Sequence, residues 1–184
     1  MKSPVEKRKP NGVMDYAALA VTTCGVGYIP GAPGTYGSII GVGIYLSVES
    51  FLNYLRRLDP KFYPDLLEPS TSAVIAISMA VFCLVGIWAS RRSIPLLGND
   101  DPSQAVADEV MGQLIVFLFV PFGIGWPFIV AGFLLFRLFD IWKPYPIDNL
   151  QILPGGIGVC ADDIVAGVYA GVCLSVIYAI SISL

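Results

Sequence analysis

Histidine is absent from this 184-residue chain. Without an imidazole, every mechanism that uses histidine as base, nucleophile or metal ligand is excluded. The four cysteines show no CxxC spacing and lie among apolar or small residues (Cys24, Cys83, Cys160 and Cys173). We interpret them as buried thiols, not as a zinc site or a redox pair. Any reactive site must therefore be built from other side chains.

Charge is also scarce: 14% of the residues are charged and 55% are hydrophobic. Soluble domains carry about 25% charged residues, so the composition predicts an integral membrane protein. The net charge of −3 and the lack of a basic patch argue against nucleic-acid binding. No protein partner is evident, and the bilayer is the one expected neighbour. We expect a flexible basic tail over residues 1–12 and a single membrane domain over residues 13–184.

The apolar segments predict an all-α, membrane-embedded bundle. Residues 13–24 suit a short helix at the interface or packed on the bundle. Residues 38–52 are apolar but short for a membrane span, whereas residues 73–89 and 164–184 predict transmembrane helices. The apolar run 110–136 is interrupted by prolines and glycines at 121–127, so two shorter helices folded as a hairpin fit it better than one.

Two adjacent carboxylates, Asp108 and Glu109, stand at the entrance to that apolar run. Carboxylates at the edge of a low-dielectric region are costly unless they bind a cation or a basic group. Just upstream, Asp101 as N-cap, Pro102 at N1 and Gln104 at N3 predict a helix that starts near Asp101. A capped amphipathic helix with solvated acids is the alternative interpretation of this stretch.

Residues 25–38 contain five glycines and two prolines and lead into the next helix at about 35–38. Backbone N–H groups of such a loop suit a phosphate, which makes Gly34, Thr35 and Gly37 candidate binding residues. No lysine follows Gly34, so this is not a Walker A loop. A plain tight turn between helices is the alternative.

Two further motifs carry charge. Arg137 and Asp140 are spaced i, i+3, and Lys143 precedes the helix-ending Pro144. The two cations are candidates to bind a phosphate. The alternative is a structural ion pair between Arg137 and Asp140 with a snorkelling lysine. Asp162 and Asp163 are expected to open the last helix, where they could also act merely as helix-dipole partners.

The predicted crossings place all four motifs on one side of the membrane. Eight of the eleven lysines and arginines fall on that side and three on the other, so the positive-inside rule makes the site side cytoplasmic. Carboxylate ligands without histidine indicate a hard cation, and Mg²⁺ shared with a substrate phosphate is the common form. Together with the cations and the glycine loop, this favours metal-assisted phosphoryl transfer on a lipid headgroup.

Four motifs, at 25–38, 101–113, 136–147 and 155–167, resemble those of the phosphatidylglycerophosphatase A family in content and order. The resemblance implies a bacterial inner-membrane enzyme that removes the terminal phosphate of phosphatidylglycerophosphate with Mg²⁺. It also implies an all-α fold around a central helix, which we identify with the one expected near Asp101. The departures are a longer polar loop over residues 53–72 and, inside motifs, Ala107 and Cys160; none removes a charged position.

On this basis the candidate residues receive roles. Catalysis is assigned to Asp108, Glu109, Asp163 and Arg137. Phosphate binding is assigned to Gly34, Thr35, Gly37, Arg137 and Lys143. The expected Mg²⁺ ligands are Asp108, Glu109 and Asp163, with Asp101 and Asp162 as weaker candidates.

The main alternative is an ion- or proton-coupled transporter that uses the acids as a relay, although no internal repeat is visible. A CDP-alcohol transferase would need a D-G-x-x-A-R pattern, but Asp163 is followed by Ile-Val-Ala-Gly. A non-catalytic scaffold would not explain three acidic motifs on one face.

Overall fold

Helices make up most of the chain in the computed structural model, which describes residues 5–58, 69–99, 102–150, 153 and 155–183. The described residues form seven α-helices and no strand: α1 (Val13–Thr23), α2 (Pro33–Leu58), α3 (Pro69–Leu97), α4 (Ala107–Val116), α5 (Trp126–Trp142), α6 (Ile147–Leu150) and α7 (Gly156–Ser183). Two short 3-10 helices, Val26–Tyr28 and Phe117–Phe119, lie between them. The predicted all-α class is confirmed.

Helix α4 is the central element, packed against α1, α2, α3, α5 and α7. Eight of its ten residues are buried, which confirms the expected central helix. Its start, however, is Ala107 and not a residue near Asp101. Residues 102–105 close a turn instead, and the Val106 N–H donates to the carbonyl of Thr22 in α1 at 2.8 Å, so the chain is held away from a helical path. The N-cap and metal-ligand predictions for Asp101 lie outside the described residues.

Three helices are long and apolar enough to cross a membrane among the residues described: α2, α3 from Ala73, and α7. The expectation that 38–52 is too short is wrong, because α2 begins at Pro33 and continues through Glu49 and the polar residues to Leu58 over 26 residues. Helix α7 also begins earlier than predicted, at Gly156. Asp162 and Asp163 therefore lie almost two turns inside α7, not at its N-terminus.

The apolar run after Glu109 forms a hairpin of two helices, α4 and α5, as predicted. Helix α4 with the following 3-10 turn has 10 and 3 residues, about 20 Å in length, against a hydrocarbon core of about 30 Å. The tip packs on the middle of α2, where Tyr45 stacks on Phe117 and Phe122 with ring centroids 4.3 and 6.0 Å apart. The hairpin therefore ends well before the far end of α2.

The expectation that all four cysteines are buried needs correction. Among the cysteines only Cys160 is buried, whereas Cys24, Cys83 and Cys173 are half-buried; all four thiols are free. The flexible tail over residues 1–12 stays a prediction; within its described part, the Arg8 N–H donates to the carbonyl of Pro95 at 2.9 Å.

Candidate functional site

Glycines in α2 let its N-terminal half approach the first turns of α4. A Cβ on Gly37 would lie 2.8 Å from the carbonyl oxygen of Val106, and one on Gly41 would lie 2.8 Å from the Cβ of Gln113. A Cβ on Gly34 would overlap Oε1 of Glu109 and lie 3.0 Å from Nη1 of Arg137. Gly34, Gly37 and Gly41 are spaced three and four apart, which places them on one helix face. This face brings the glycine motif, Glu109 and Arg137 together.

Another side of α4 meets α7 through a second pair of glycines. A Cβ on Gly167 would overlap the carbonyl oxygen of Gly112, and one on Gly112 would lie 2.6 Å from the carbonyl oxygen of Asp163. The two backbones are therefore in contact at this crossing. The close approach places Asp163 of α7 beside the start of α4, which carries Asp108 and Glu109.

Three carboxylates converge at this crossing. Asp108, Glu109 and Asp163 each offer one oxygen, and these oxygens lie within 4.8 Å of one another. Asp108 and Asp163 are 6% and 5% exposed, and Glu109 is half-buried. Three negative charges this close in a buried setting repel strongly unless a cation lies between them.

The ion pairs of the site leave those three acids unpaired. Arg137 donates to Asp140 at 2.5 Å, and Lys143 donates to Asp162 at 2.6 Å. No cation among the described residues pairs with Asp108, Glu109 or Asp163. Within the same part of the chain, Oε2 of Glu109 and Oδ1 of Asp163 are buried without a hydrogen-bond partner. These orphaned oxygens and the all-carboxylate donor set fit a hard divalent cation.

The two cations border the acid cluster. Lys143 ends α5 in a left-handed conformation with φ of 47°, just before Pro144, and its backbone N–H still donates to the carbonyl of Phe139. Burial lowers the pKa of Lys143, but its hydrogen bond to Asp162 and the negative charges of Asp162, Asp163 and Asp140 outweigh this, so the net pKa is raised. Lys143 is therefore a charged donor at neutral pH.

The backbone amides of the glycine motif are less available than the sequence suggests. The N–H groups of Thr35 and Tyr36 both donate to the carbonyl of Ala32, at 3.0 and 3.2 Å. The structure thus shows a steric function for Gly34 and Gly37, which keep α2 close to Glu109. Phosphate binding by Gly34, Thr35 and Gly37 stays a prediction.

The structure also shows where the other candidates lie. Asp108, Glu109, Asp163 and Arg137 come together, whereas Asp162 is held by Lys143 and is not part of the three-acid cluster. Sequence reasoning overlooked Gln113, one turn after Glu109, which is fully buried with both amide atoms unpartnered among the described residues. A polar residue inside the apolar run was the available signal.

Comparison with known proteins decides the family. The family model for phosphatidylglycerophosphatase A matches residues 19–178. This chain belongs to that family. It is a phosphoric monoester hydrolase with a membrane-embedded helical fold. No solved structure gives a significant match to the chain.

Three curated relatives span most of this chain and most of their own lengths. A Bacteroides thetaiotaomicron protein described provisionally as a phosphatidylinositol-3-phosphatase is 34% identical over 86% of this chain and 91% of its own. Phosphatidylglycerophosphatase A of Haemophilus influenzae is 32% identical over 79% and 78%. That of Escherichia coli is 32% identical over 78% and 73%.

Proposed function

We propose that this chain is a Mg²⁺-dependent phosphatidylglycerophosphatase, which hydrolyses the phosphomonoester of phosphatidylglycerophosphate to phosphatidylglycerol and phosphate. The observation that carries the proposal is the convergence of the buried Asp108 and Asp163 with the half-buried Glu109, none of them in an ion pair with the described residues, beside Arg137 and Lys143. The family assignment and two relatives of that name support the substrate.

The cation is assigned to the three converging acids. Asp108, Glu109 and Asp163 would hold Mg²⁺, with Asp162 and Asp101 as weaker candidates. When bound, the ion supplies charge neutralisation at the phosphate and lowers the pKa of water. The choice of Mg²⁺ rests on the oxygen-only donor set, since such ligands together with a phosphate suit this ion.

Arg137 and Lys143 are assigned to the phosphate oxygens. A phosphomonoester carries close to two negative charges at pH 7, so carboxylates alone would repel it. Arg137 lies next to Gly34 and Glu109, and Asp140 holds its guanidinium in place. A guanidinium fixed by one carboxylate can still donate through its other N–H groups, which match phosphate geometry.

The decisive experiment measures phosphate release by the purified full-length protein from phosphatidylglycerophosphate in mixed micelles. We expect turnover with Mg²⁺, none in EDTA, and recovery when Mg²⁺ is restored. Asp163→Asn should be inactive, whereas Asp148→Asn, at an exposed acid on α6, should be as active as the parent chain. Full turnover in EDTA would overturn the metal assignment.

A second candidate substrate comes from the Bacteroides relative, whose name specifies a phosphoinositide. The same assay with phosphatidylinositol 3-phosphate separates the two. A higher kcat/KM for the phosphoinositide would show that it, and not phosphatidylglycerophosphate, is the preferred substrate. The assignment of the site residues would not change. The transporter alternative has lost support, because the chain belongs to a phosphatase family.

We also propose that the protein lies in a bacterial cytoplasmic membrane with its site facing the cytoplasm. The three long apolar helices support a multi-pass membrane protein. The orientation is supported by the excess of lysine and arginine on the site side.

A further inference from the structure

Helix α1 buries its aspartate and threonine side chains, whereas the large side chains of its first turn, Val13, Met14 and Tyr16, are exposed. Asp15 and Thr22 are fully buried and Thr23 is 2% exposed. Val13 and Tyr16, in contrast, are 83% and 62% exposed. A surface helix of a water-soluble protein shows the reverse arrangement. The outer face of α1 therefore requires an apolar neighbour.

The buried side of α1 is fixed by an ionic cluster. The Asp15 carboxylate accepts hydrogen bonds from Arg8 at 2.5 and 3.0 Å, from the Asn11 N–H at 2.9 Å and from Arg92 of α3 at 2.7 Å. The Arg8 guanidinium, then the Asn11 amide and Arg92, hold the pKa of Asp15 well below its usual range. Turning the apolar face inward would leave this carboxylate and both guanidinium groups unpaired, which is strongly unfavourable. The orientation of α1 is thus set by its own contacts.

Contacts with α3 also set the depth of α1. Besides the Asp15–Arg92 pair, the hydroxyls of Thr22 and Ser93 lie 3.0 Å apart. Arg92 and Ser93 stand close to the end of the membrane-span candidate Ala73–Leu97, one turn after the exposed Trp88. A tryptophan followed by arginine is typical of the boundary between hydrocarbon and headgroups. Helix α1 therefore lies at that boundary on the side of the acid cluster.

We propose that α1 is an interfacial anchor whose exposed face inserts into the boundary between headgroups and acyl chains of an anionic bilayer. The occupant is a lipid surface because α1 packs on the end of the membrane-span candidate in α3, which carries the exposed Trp88. The preceding tail adds exposed Lys7 and Lys9 against a single exposed acid, Glu6, which favours anionic headgroups.

A second copy of the chain fits this face less well. Helix α1 has 11 residues and is about 16 Å long. One such face is much smaller than the roughly 800 Å² per partner that stable interfaces bury.

The anchor also has a structural consequence, since the carbonyl of Thr22 accepts the hydrogen bond from the Val106 N–H directly before α4. Anchoring α1 at headgroup depth therefore holds the start of α4 at the same depth.

Photocrosslinking of the full-length protein tests this proposal. Tyr16 is replaced by p-benzoylphenylalanine, and the protein is reconstituted in vesicles of phosphatidylethanolamine with one quarter phosphatidylglycerol. The same substitution at Val81, 53% exposed in the middle of α3, reports lipid contact, and that at the exposed Glu6 reports the aqueous side. We expect lipid adducts at position 16 at a yield similar to position 81 and well above position 6.

Two results would overturn the anchor. The first is a crosslink at position 16 between two protein chains in place of lipid, which would make α1 a self-association surface. The second is no lipid adduct at position 16 while position 81 reacts. Lys7→Gln with Lys9→Gln tests the charge: the share of phosphatidylglycerol among adducts at position 16 should fall, and an unchanged share would refute the preference for anionic lipid.

Discussion

Asp108, Glu109 and Asp163 combine burial, proximity and the absence of a cationic partner among the described residues. In the proposed metal site a bound cation would relieve the repulsion between these carboxylates, which destabilises the fold when all three are charged and no cation is bound. Metal affinity and thermal stability are therefore linked at these residues, because a ligand that binds only the native state raises the melting temperature.

Asp163→Asn is expected to change both quantities. In EDTA its Tm should equal or exceed that of the parent chain, because one of three repelling charges is gone. Added Mg²⁺ should raise the Tm of the parent chain and of the Asp148→Asn control, but not that of Asp163→Asn. Differential scanning fluorimetry in detergent measures all three. An equal Mg²⁺-dependent rise in Asp163→Asn would exclude this carboxylate as a ligand.

Arg137 is tested by a change that keeps its charge. Arg137→Lys loses the planar fork, so we expect kcat/KM to fall about 10- to 100-fold if one or two charge-assisted hydrogen bonds are lost. Asp140→Asn serves as the comparison, because it removes the partner that holds the guanidinium. If Arg137→Lys keeps its kcat/KM while Asp140→Asn unfolds, the pair is structural and the phosphate assignment is wrong.

Gln113 carries a buried amide whose effect on the stability of the fold can be measured directly. Both of its amide atoms lack partners among the described residues. Leaving such groups unsatisfied destabilises a fold by about 1–3 kcal/mol, so Gln113→Met, of similar volume, should raise the Tm. Thermal unfolding of the two proteins provides the comparison. A lower Tm for Gln113→Met would mean that water or a ligand satisfies the amide.

At the scale of elements, the glycines of α2 are separated into those that contact α4 and one that does not. A Cβ on Gly37 would approach the Val106 carbonyl to 2.8 Å, whereas Gly43, on the same helix, has open space around it. Gly37→Ala should therefore separate α2 from α4 and lower both Tm and turnover. Gly43→Ala should raise stability by up to about 1 kcal/mol, because alanine favours the helix. Equal stability of the two variants would contradict the packing described for α2 and α4.

The sequence predicts some of these elements and not others, for physical reasons. Asp108, Glu109 and Asp163 could be identified because isolated acids in apolar surroundings require a partner. The start of α4 could not, because the Val106 N–H bonds to Thr22, a residue far away in the chain. The burial of Asp15 depends likewise on Arg92, 77 residues later. Local capping signals at Pro102 and Gln104 were outweighed by such long-range contacts.

Among the described residues, the ion pairs and the acid cluster lie at one end of the long helices. They lie where α2 and α7 begin and where α3 and α5 end, and they include Arg137, Lys143 and the ion pair between Asp15 of α1 and Arg92 of α3. At the other half of α2, a cavity of about 410 Å³ is lined by Glu49, Asn53 and Arg57, among others. The site and this second polar region therefore lie at opposite ends of α2.

That separation predicts how the protein lies in a cell. Ser103→Cys and Asn53→Cys place thiols at exposed positions on the two ends. In intact cells a membrane-impermeant maleimide should react with position 53 above the level of the parent chain, which has its own four cysteines. Position 103 should react only after the cells are opened, because the positive-inside rule places the site end in the cytoplasm. Labelling of position 103 in intact cells would show that the orientation is the reverse of the one proposed. The enzyme would then meet its substrate in the outer leaflet.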